Sequence, residues 1–239
     1  MGAIYRREIG AFFTSGVAYV FLVVFYFVSG IFFFNYVLGS GVADVSPIFQ
    51  SMFLVVMFLI PILTMKLLSE EKKNRTDQGL LTAPISLWEI VLGKFFAALT
   101  LFVIAESIVF VYAIILSALG NVVWQTLLGN YFAMLFLGAA FIAVGLFISS
   151  LTENQITAAI VSMVLLFVIY LSEMMVSSFE NGNKIQKIIY KAITSVAFYS
   201  RYNEFTHGVF SLPSIVFFIS VTFLFNFFTV RVLEKRRWG

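Results

Sequence analysis

The sequence predicts an all-α integral membrane protein with six transmembrane helices, an N-terminal interfacial helix and an outer amphipathic helix between spans 5 and 6. Hydrophobic residues make up 61% of the 239 residues and charged residues only 11%, whereas soluble domains are about 45–50% apolar and about 25% charged. The mean hydropathy of +1.01 agrees with this composition. We therefore predict a single transmembrane domain over residues 1–239, and we exclude a soluble enzyme and a nucleic-acid-binding module.

Six apolar stretches each reach the roughly 20 residues that a transmembrane helix needs. The first stretch is longer than the about 7–15 apolar residues of a signal peptide, so we expect it to remain as the first span. In the fourth stretch Ala139, Ala143 and Gly145 favour close helix packing. The predicted spans are 17–38, 48–68, 95–119, 126–149, 156–176 and 213–233.

The distribution of basic residues predicts the orientation of the chain, because lysine and arginine accumulate in the cytoplasmic loops of membrane proteins. With a cytoplasmic N-terminus, all but four of the 15 basic residues face the cytoplasm. The four on the outer side are Lys184, Lys187, Lys191 and Arg201. We therefore predict that both termini are cytoplasmic.

Residues 4–13 precede the first span and predict a short amphipathic helix in the cytoplasmic interface. Apolar or small residues recur there at helical spacing: Tyr5, Ile9, Phe12, Phe13 and Gly16. Arg6, Arg7 and Glu8 fall on its other faces. The alternative is a flanking segment that serves only to orient the first span.

The connection over residues 69–94 is far longer than the about 4–6 residues that suffice to join two helices. Glu70 and Glu71 extend the second helix beyond the bilayer, and an apolar stretch from Leu87 leads into the third span. Further apolar residues lie in between, at Leu80, Leu81, Pro84 and Ile85. Because nothing in the sequence obviously covers this apolar surface, we predict a docking site for a partner protein.

The outer connection before the sixth span contains a predicted amphipathic helix at about 184–198, with Asn183 as its N-cap. This helix is too short and too one-sided to cross the bilayer. Two roles remain open for it: it seals the outer end of the bundle, or it gates a substrate.

Ionisable and amide side chains inside the predicted spans are rare, and three of them are candidate pathway residues: Glu106, Glu173 and Asn226. An ionised carboxylate at the centre of a bilayer costs several kcal/mol unless it faces water or a partner. A carboxylate here therefore either contacts a proton, ion or cationic substrate, or is neutral and bonded to a neighbour such as Asn226.

The sequence offers no catalytic or metal-binding motif. It has no cysteine and one histidine, His207, so a zinc centre of several histidines or cysteines is excluded. Gly93-Lys94 does not form a P-loop, because Phe95 stands where serine or threonine binds Mg²⁺ and Trp88 stands where a glycine is required. The chain therefore does not bind ATP by itself.

The long cytoplasmic connection also carries an ordered run of residues. It consists of Glu70-Glu71-Lys72, Thr76, Leu80-Leu81-Thr82-Ala83-Pro84-Ile85-Ser86 and Trp88-Glu89-Ile90-Val91-Leu92-Gly93-Lys94-Phe95. This run, within the six-span layout, resembles ABC-2-type ABC-transporter permeases. The tail over residues 200–238 is most similar to the gliding-motility-associated and nitrous-oxide-accessory branch. Arg75, where the family usually has glycine, and Gly79, within its short coupling helix, depart from the pattern.

The resemblance implies a transport subunit of the bacterial cytoplasmic (inner) membrane that is not itself an enzyme. Two separate ATPase subunits per complex bind ATP and Mg²⁺, so this chain needs no cofactor, and a second permease copy or a paralogue completes the pathway. The implied ATPase-coupling residues are Arg6, Arg7, Glu8, Glu70, Glu71, Thr76, Leu80, Leu81, Pro84 and Ile85. The branch also admits an accessory protein on the outer side.

Two other classes of function fit the composition. One is a non-transporting membrane anchor or scaffold of a complex. The other is a carboxylate-dependent secondary carrier centred on Glu106, although carriers usually show internal repeats and interrupted helices and no clear repeat occurs here. The 30 phenylalanines and the scarcity of intramembrane charge favour a lipid, a hydrophobic peptide or a drug-like molecule over a sugar as substrate.

Overall fold

The computed structural model of the chain describes residues 1–41, 44–76, 78–79, 85–119, 122–176, 183–206 and 211–238. These residues form helices joined by turns and short connections, and they contain no β-strand. Six helices among them are long and apolar enough to cross a membrane. The predicted all-α membrane fold is therefore confirmed.

The helices are labelled in chain order, and breaks divide spans 2 and 3 into two helices each. The helices are α1 Gly2–Thr14, α2 Val17–Phe33 with a following π-helical turn Phe34–Leu38, α3 Ser46–Thr64, α4 Lys66–Lys73, α5 Leu87–Glu106, α6 Ile108–Leu119, α7 Trp124–Leu151, α8 Gln155–Val176, α9 Lys184–Ser195, α10 Tyr199–Thr206 and α11 Leu212–Trp238. Spans 1 to 6 are Val17–Leu38, Ser46–Lys73, Leu87–Ala118, Trp124–Leu151, Gln155–Val176 and Leu212–Arg237.

Spans 2 and 3 run well beyond the apolar stretches of the sequence. Span 2 continues to Lys73 and span 3 already begins at Leu87. Backbone hydrogen bonding continues a helix into polar residues that a hydropathy argument leaves out. Both extensions lie at one end of the bundle.

That end also holds both chain termini, and we call it the termini-bearing end. The amino group of Met1 lies 3.6 Å from the Glu89 carboxylate near the start of α5. Arg236, near the C-terminus, donates to the carbonyl of Ser150 near the end of α7. The opposite end carries α9 and α10.

Two breaks separate α1 and α4 from the helices that they adjoin. The chain turns from α1 into α2 at Gly16, whose φ of +74° lies in the left-handed region that glycine tolerates. α3 gives way to α4 at Met65, which keeps α-helical dihedral angles (φ −54°, ψ −33°), so α4 continues span 2 beyond this break. Ser149 of α7 stabilises this second break, because its hydroxyl accepts from two α4 amides at 3.1 Å and donates to the Met65 carbonyl at 3.0 Å.

Span 4, formed by α7, is the most buried of the six, and it packs against α11, α3, α5, α8, α10 and α4. Two glycines permit its closest contacts. A Cβ at Gly138 would lie 2.2 Å from Phe102 Cε1, and one at Gly145 would lie 2.1 Å from Thr64 Oγ1. Gly145 thus has the role that the sequence predicts, and Gly138 adds a contact that the sequence does not reveal.

We expect Gly138→Ala to destabilise the bundle, because the Phe102 ring would have to leave a packed site, and overpacking costs about 1–3 kcal/mol. The measurement is the thermal unfolding midpoint of the detergent-solubilised protein. Gly10→Ala is the matched control, since no atom lies within 4 Å of a Cβ there and alanine is a better helix former by roughly 1 kcal/mol. A midpoint for Gly138→Ala at or above the parent value would contradict this packing argument.

Candidate functional site

A group of four charged side chains, with Lys94 buried and Arg7 exposed, joins three helices at the termini-bearing end. We call it the ion cluster, and it consists of Arg7 and Glu8 of α1, Glu71 of α4 and Lys94 of α5. The side chain of Lys94 is 1% exposed, and its Nζ lies 2.9 Å from Glu8 Oε1 and 3.0 Å from Glu71 Oε2. Two cations and two anions balance each other, as buried charges require.

Arg7 forms the solvent-facing part of the ion cluster. Its Nη2 donates to Glu8 Oε1 at 2.6 Å and also donates to the Glu71 carboxylate. Partial burial lowers the pKa of Arg7, but the hydrogen bonds and the negative charges of Glu8 and Glu71 outweigh it and raise the pKa above its ordinary value. The guanidinium therefore stays charged and keeps the cluster neutral overall.

Close packing of α1 against α5 places Glu8 beside Lys94. Ile4, Glu8 and Phe12 follow one another at single-turn spacing, and all three are buried. At the same contact, a Cβ on Gly93 would lie 3.0 Å from Ile4 Cγ2. The prediction that Glu8 lies on a different face from the apolar residues of this helix was wrong, because Glu8 is buried with Ile4 and Phe12 and pairs with Lys94.

The end of α4 has a backbone geometry that fixes Glu71 and Thr76 relative to each other. The Thr76 amide donates to the Glu71 carbonyl at 3.0 Å, and the Arg75 amide donates to the Lys72 carbonyl at 3.2 Å, which is the Schellman pattern. This pattern needs a residue in the left-handed region, and Arg75 occupies it with a φ of 57°. Glycine adopts such a conformation at the least cost. This explains physically why the permeases that this sequence resembles usually have glycine at the position of Arg75.

A cleft of about 400 Å³ opens between α1 and α4 beside the ion cluster. Glu70 and Thr76 lie on its α4 side, and Glu70 is half-buried. Among the described residues, no cation lies within ion-pair distance of Glu70. Arg6, on the neighbouring α1, is exposed.

The apolar part of the long connection is described only in part. Leu80, Leu81 and Pro84 lie outside the described residues, as does His207. Ile85 is partly buried against the hydrophobic core. Trp88 stacks on Phe223 of α11 with ring centroids 5.9 Å apart, so part of the surface predicted to be uncovered packs on this chain's own bundle.

Glu106 lies at the end of α5, where span 3 is interrupted, and is 1% exposed. Neither carboxylate oxygen has a hydrogen-bond partner among the described residues. Asn226 is also buried, and its Nδ2 donates to the Thr222 carbonyl of its own helix at 2.8 Å. The hydrogen bond between Glu106 and Asn226 that the sequence suggests is therefore not formed.

Glu173 caps a helix at the opposite end of the bundle. Its Oε1 accepts from the amides of Phe198 and Tyr199, and its Oε2 accepts from the Ser200 amide at 3.1 Å and hydroxyl at 3.2 Å. These amides belong to the first turn of α10, where N–H groups lack helical partners and a negative charge is favourable. Glu173 thus anchors α10 to α8, a role that the sequence could not reveal because α10 itself is not predicted.

Sequence reasoning also missed Lys94 as part of the site. In the sequence it is a cytoplasmic lysine, a part of the rejected P-loop and one position of the permease-like run, and none of these predicts a buried ion pair. One feature of the sequence could have indicated its role: Lys94 lies between Gly93 and Phe95 in a largely apolar helix. A cation buried in such a helix needs carboxylate partners. The sequence alone does not say which carboxylates approach it.

Residues 3–216 match the sequence model of a family described as ABC-2 family transporter protein. The match covers α1, the ion cluster and the first five spans, and it ends within α11. No curated protein matches the chain.

We expect Glu173→Gln to weaken the attachment of α10, because an amide offers one neutral acceptor where the carboxylate receives several N–H groups. Hydrogen bonds to charged groups contribute about 1.5–3 kcal/mol each. The measurements are the unfolding midpoint and hydrogen exchange of the amides of residues 198–200. Glu153→Gln is the control, since Glu153 is 64% exposed in its pair with Lys72 and such pairs contribute about 0–1 kcal/mol. Equal exchange rates in parent and Glu173→Gln would show that the cap does not hold α10.

Proposed function

We propose, from the premise that the chain belongs to the ABC-2 family of transporter proteins, that it is the transmembrane permease subunit of an ABC transporter. Separate nucleotide-binding subunits hydrolyse ATP, and this chain uses the resulting movement to export or extract a substrate or to act on an outer-side partner. The ATPase activity resides in those subunits, which bind ATP and Mg²⁺.

The ion cluster is the observation that carries this proposal. It joins α1, which Gly16 sets apart from span 1, and α4, which forms the end of span 2, to span 3. A partner that pushes on either helix therefore moves an element that is connected to a span. Rigid-body movement of packed elements is a common way to transmit such a change.

The coupling residues divide into two groups on this proposal. Arg7, Glu8 and Glu71 act inside the chain, where they hold the short helices together. Residues around the cleft and in the connection after α4 contact the ATPase: Arg6, Glu70, Thr76, Leu80, Leu81, Pro84 and Ile85. An apolar residue in the second group gains by burial against the partner, since a fully buried leucine is worth roughly 1.5–3 kcal/mol.

We further propose that the termini-bearing end faces the cytoplasm and that the complex contains two permease chains, identical or paralogous, in a bacterial inner membrane. The excess of basic residues at this end supports the orientation. The tail over residues 200–238 supports membership of the gliding-motility-associated and nitrous-oxide-accessory branch. The apolar bundle supports a hydrophobic substrate.

The orientation predicts which single cysteines a membrane-impermeant thiol reagent reaches in intact cells. The chain has no cysteine of its own, so each introduced thiol reports one position. We expect labelling at positions 40 and 182 only from outside, and at positions 74 and 236 only after permeabilisation. Labelling of position 182 from the cytoplasmic side would contradict the topology.

A carboxylate-dependent carrier is the second candidate, and the absence of a described partner for the buried Glu106 favours it. A carboxyl in that position is available to a proton or a cationic substrate. Transport by such a carrier requires Glu106 and a proton or ion gradient, and it does not require an ATPase.

Co-purification with an ATPase tests the permease assignment. We expect the tagged chain, co-expressed with the ATPase encoded by a neighbouring gene, to retain that protein and to change its rate of ATP turnover. Leu81→Asp should weaken this association or uncouple ATP turnover, because a charge replaces a leucine at the proposed contact. Glu106→Gln, which is remote from this surface, should leave association intact.

The outcomes separate the candidate functions. Association with no change in ATP turnover indicates an anchor or scaffold. A lower yield of folded Leu81→Asp protein indicates that the leucine packs on its own bundle. Full association and coupled turnover with Leu81→Asp contradict the coupling assignment, and transport that is lost in Glu106→Gln without any ATPase indicates a carrier.

A further inference from the structure

The helix α4 is connected to the rest of the termini-bearing end in two different ways. Its packing is against α7, α8 and α3, and Ser149 of α7 holds its first turn. By contrast, α1 packs mainly against α5. The two short helices therefore rest on different parts of the bundle.

Glu71 provides the polar links from α4 to both α1 and α5. One carboxylate oxygen, Oε1, accepts from Arg7 of α1, and the other, Oε2, lies 3.0 Å from Nζ of Lys94 in α5. Among the described residues, no other hydrogen bond or ion pair joins α4 to α1 or α5. The adjacent Glu70 lines the cleft, and no described cation pairs with it.

We propose that Glu71 is a positioning residue that clamps α4 to α1 and span 3, so that the two ATPase-facing helices move as one body. This inference rests on the proposed function, because it assigns a use to helices that the ATPase contacts on that proposal. It also gives the two adjacent glutamates different roles: Glu71 acts within the chain, whereas Glu70 faces the partner.

Charge balance makes the clamp rigid. The ion cluster holds two positive and two negative charges, and the Lys94 side chain is 1% exposed. Moving α4 away would leave the buried Lys94 with Glu8 alone, and Arg7 and Lys94 would then share that one carboxylate. Breaking a buried pair by removing one partner is strongly unfavourable, so α1, α4 and span 3 are held in fixed positions.

Distance measurement on the permease alone tests the clamp. Spin labels are attached to the two introduced cysteines Gly10→Cys in α1 and Lys73→Cys in α4, which are both at exposed positions. The chain has no cysteine of its own, so no other residue is labelled. We expect a narrow distance distribution in the parent, a broadened one in Glu71→Gln and a parent-like one in Glu70→Gln. Lys94→Met should give a width between those of the parent and Glu71→Gln, because Arg7 still joins α1 to α4. Lys94→Arg keeps the positive charge and should show the parent width.

A second pair of labels tests whether the clamp serves coupling. Val123→Cys and Val196→Cys are both exposed at the opposite end of the bundle. With the ATPase bound and trapped by ATP and vanadate, we expect the distance between them to shift in the parent and in Glu153→Gln, which removes only the exposed ionic link between Glu153 and Lys72 of α4. In Glu71→Gln the ATPase should remain bound and the shift should be lost, which a merely local loss of stability does not produce.

If Glu71→Gln misfolds, the pair Glu71→Gln with Lys94→Met removes the excess positive charge while still severing the ionic link, and the same two measurements apply. Glu71→Gln overturns the clamp if it matches Glu70→Gln in the distance between α1 and α4 and matches Glu153→Gln in the distance at the opposite end. A parent that binds no ATPase overturns the proposed function instead, and the distance between α1 and α4 then decides the clamp by itself.

Discussion

A lysine ammonium removed from water must keep carboxylate partners, and at the termini-bearing end this requirement holds three helices together. Lys94 lies in span 3, and its partners Glu8 and Glu71 belong to α1 and α4. Gly16 sets α1 apart from span 1, whereas α4 continues span 2 beyond the break at Met65. The position of both helices therefore depends on paired charge as well as on apolar packing.

At the opposite end of the bundle a buried carboxylate also needs partners, and there the partners are backbone amides rather than a lysine. Glu173 satisfies the free amides at the start of α10, so a carboxylate in an apolar span becomes a structural cap. Glu106 has no comparable partner among the described residues. Of the buried carboxylates in the spans, it is therefore Glu106 whose environment leaves a functional role open, whereas the surroundings of Glu173 account for its presence.

Between these two ends, α7 supplies the common packing surface. Gly138 and Gly145 let Phe102 and Thr64 approach more closely than any side chain at these positions would allow. Closely packed interfaces adopt discrete arrangements rather than deforming continuously. On the proposed function, a movement of the clamped helices at the cytoplasmic end reaches the outer end through spans that pack on α7.

The sequence by itself determined the membrane fold, the six spans and the family resemblance, because hydropathy and local motifs are properties of neighbouring residues. It also located α1 and the extension of the second helix, and it selected Glu8 and Glu71. Only the tertiary structure decided that Glu8 is buried, that Lys94 joins it to Glu71, and that Glu70 differs from Glu71. The reason is that ion pairing and helix capping act between residues far apart in the chain, where a sequence pattern records the charges but not which of them meet.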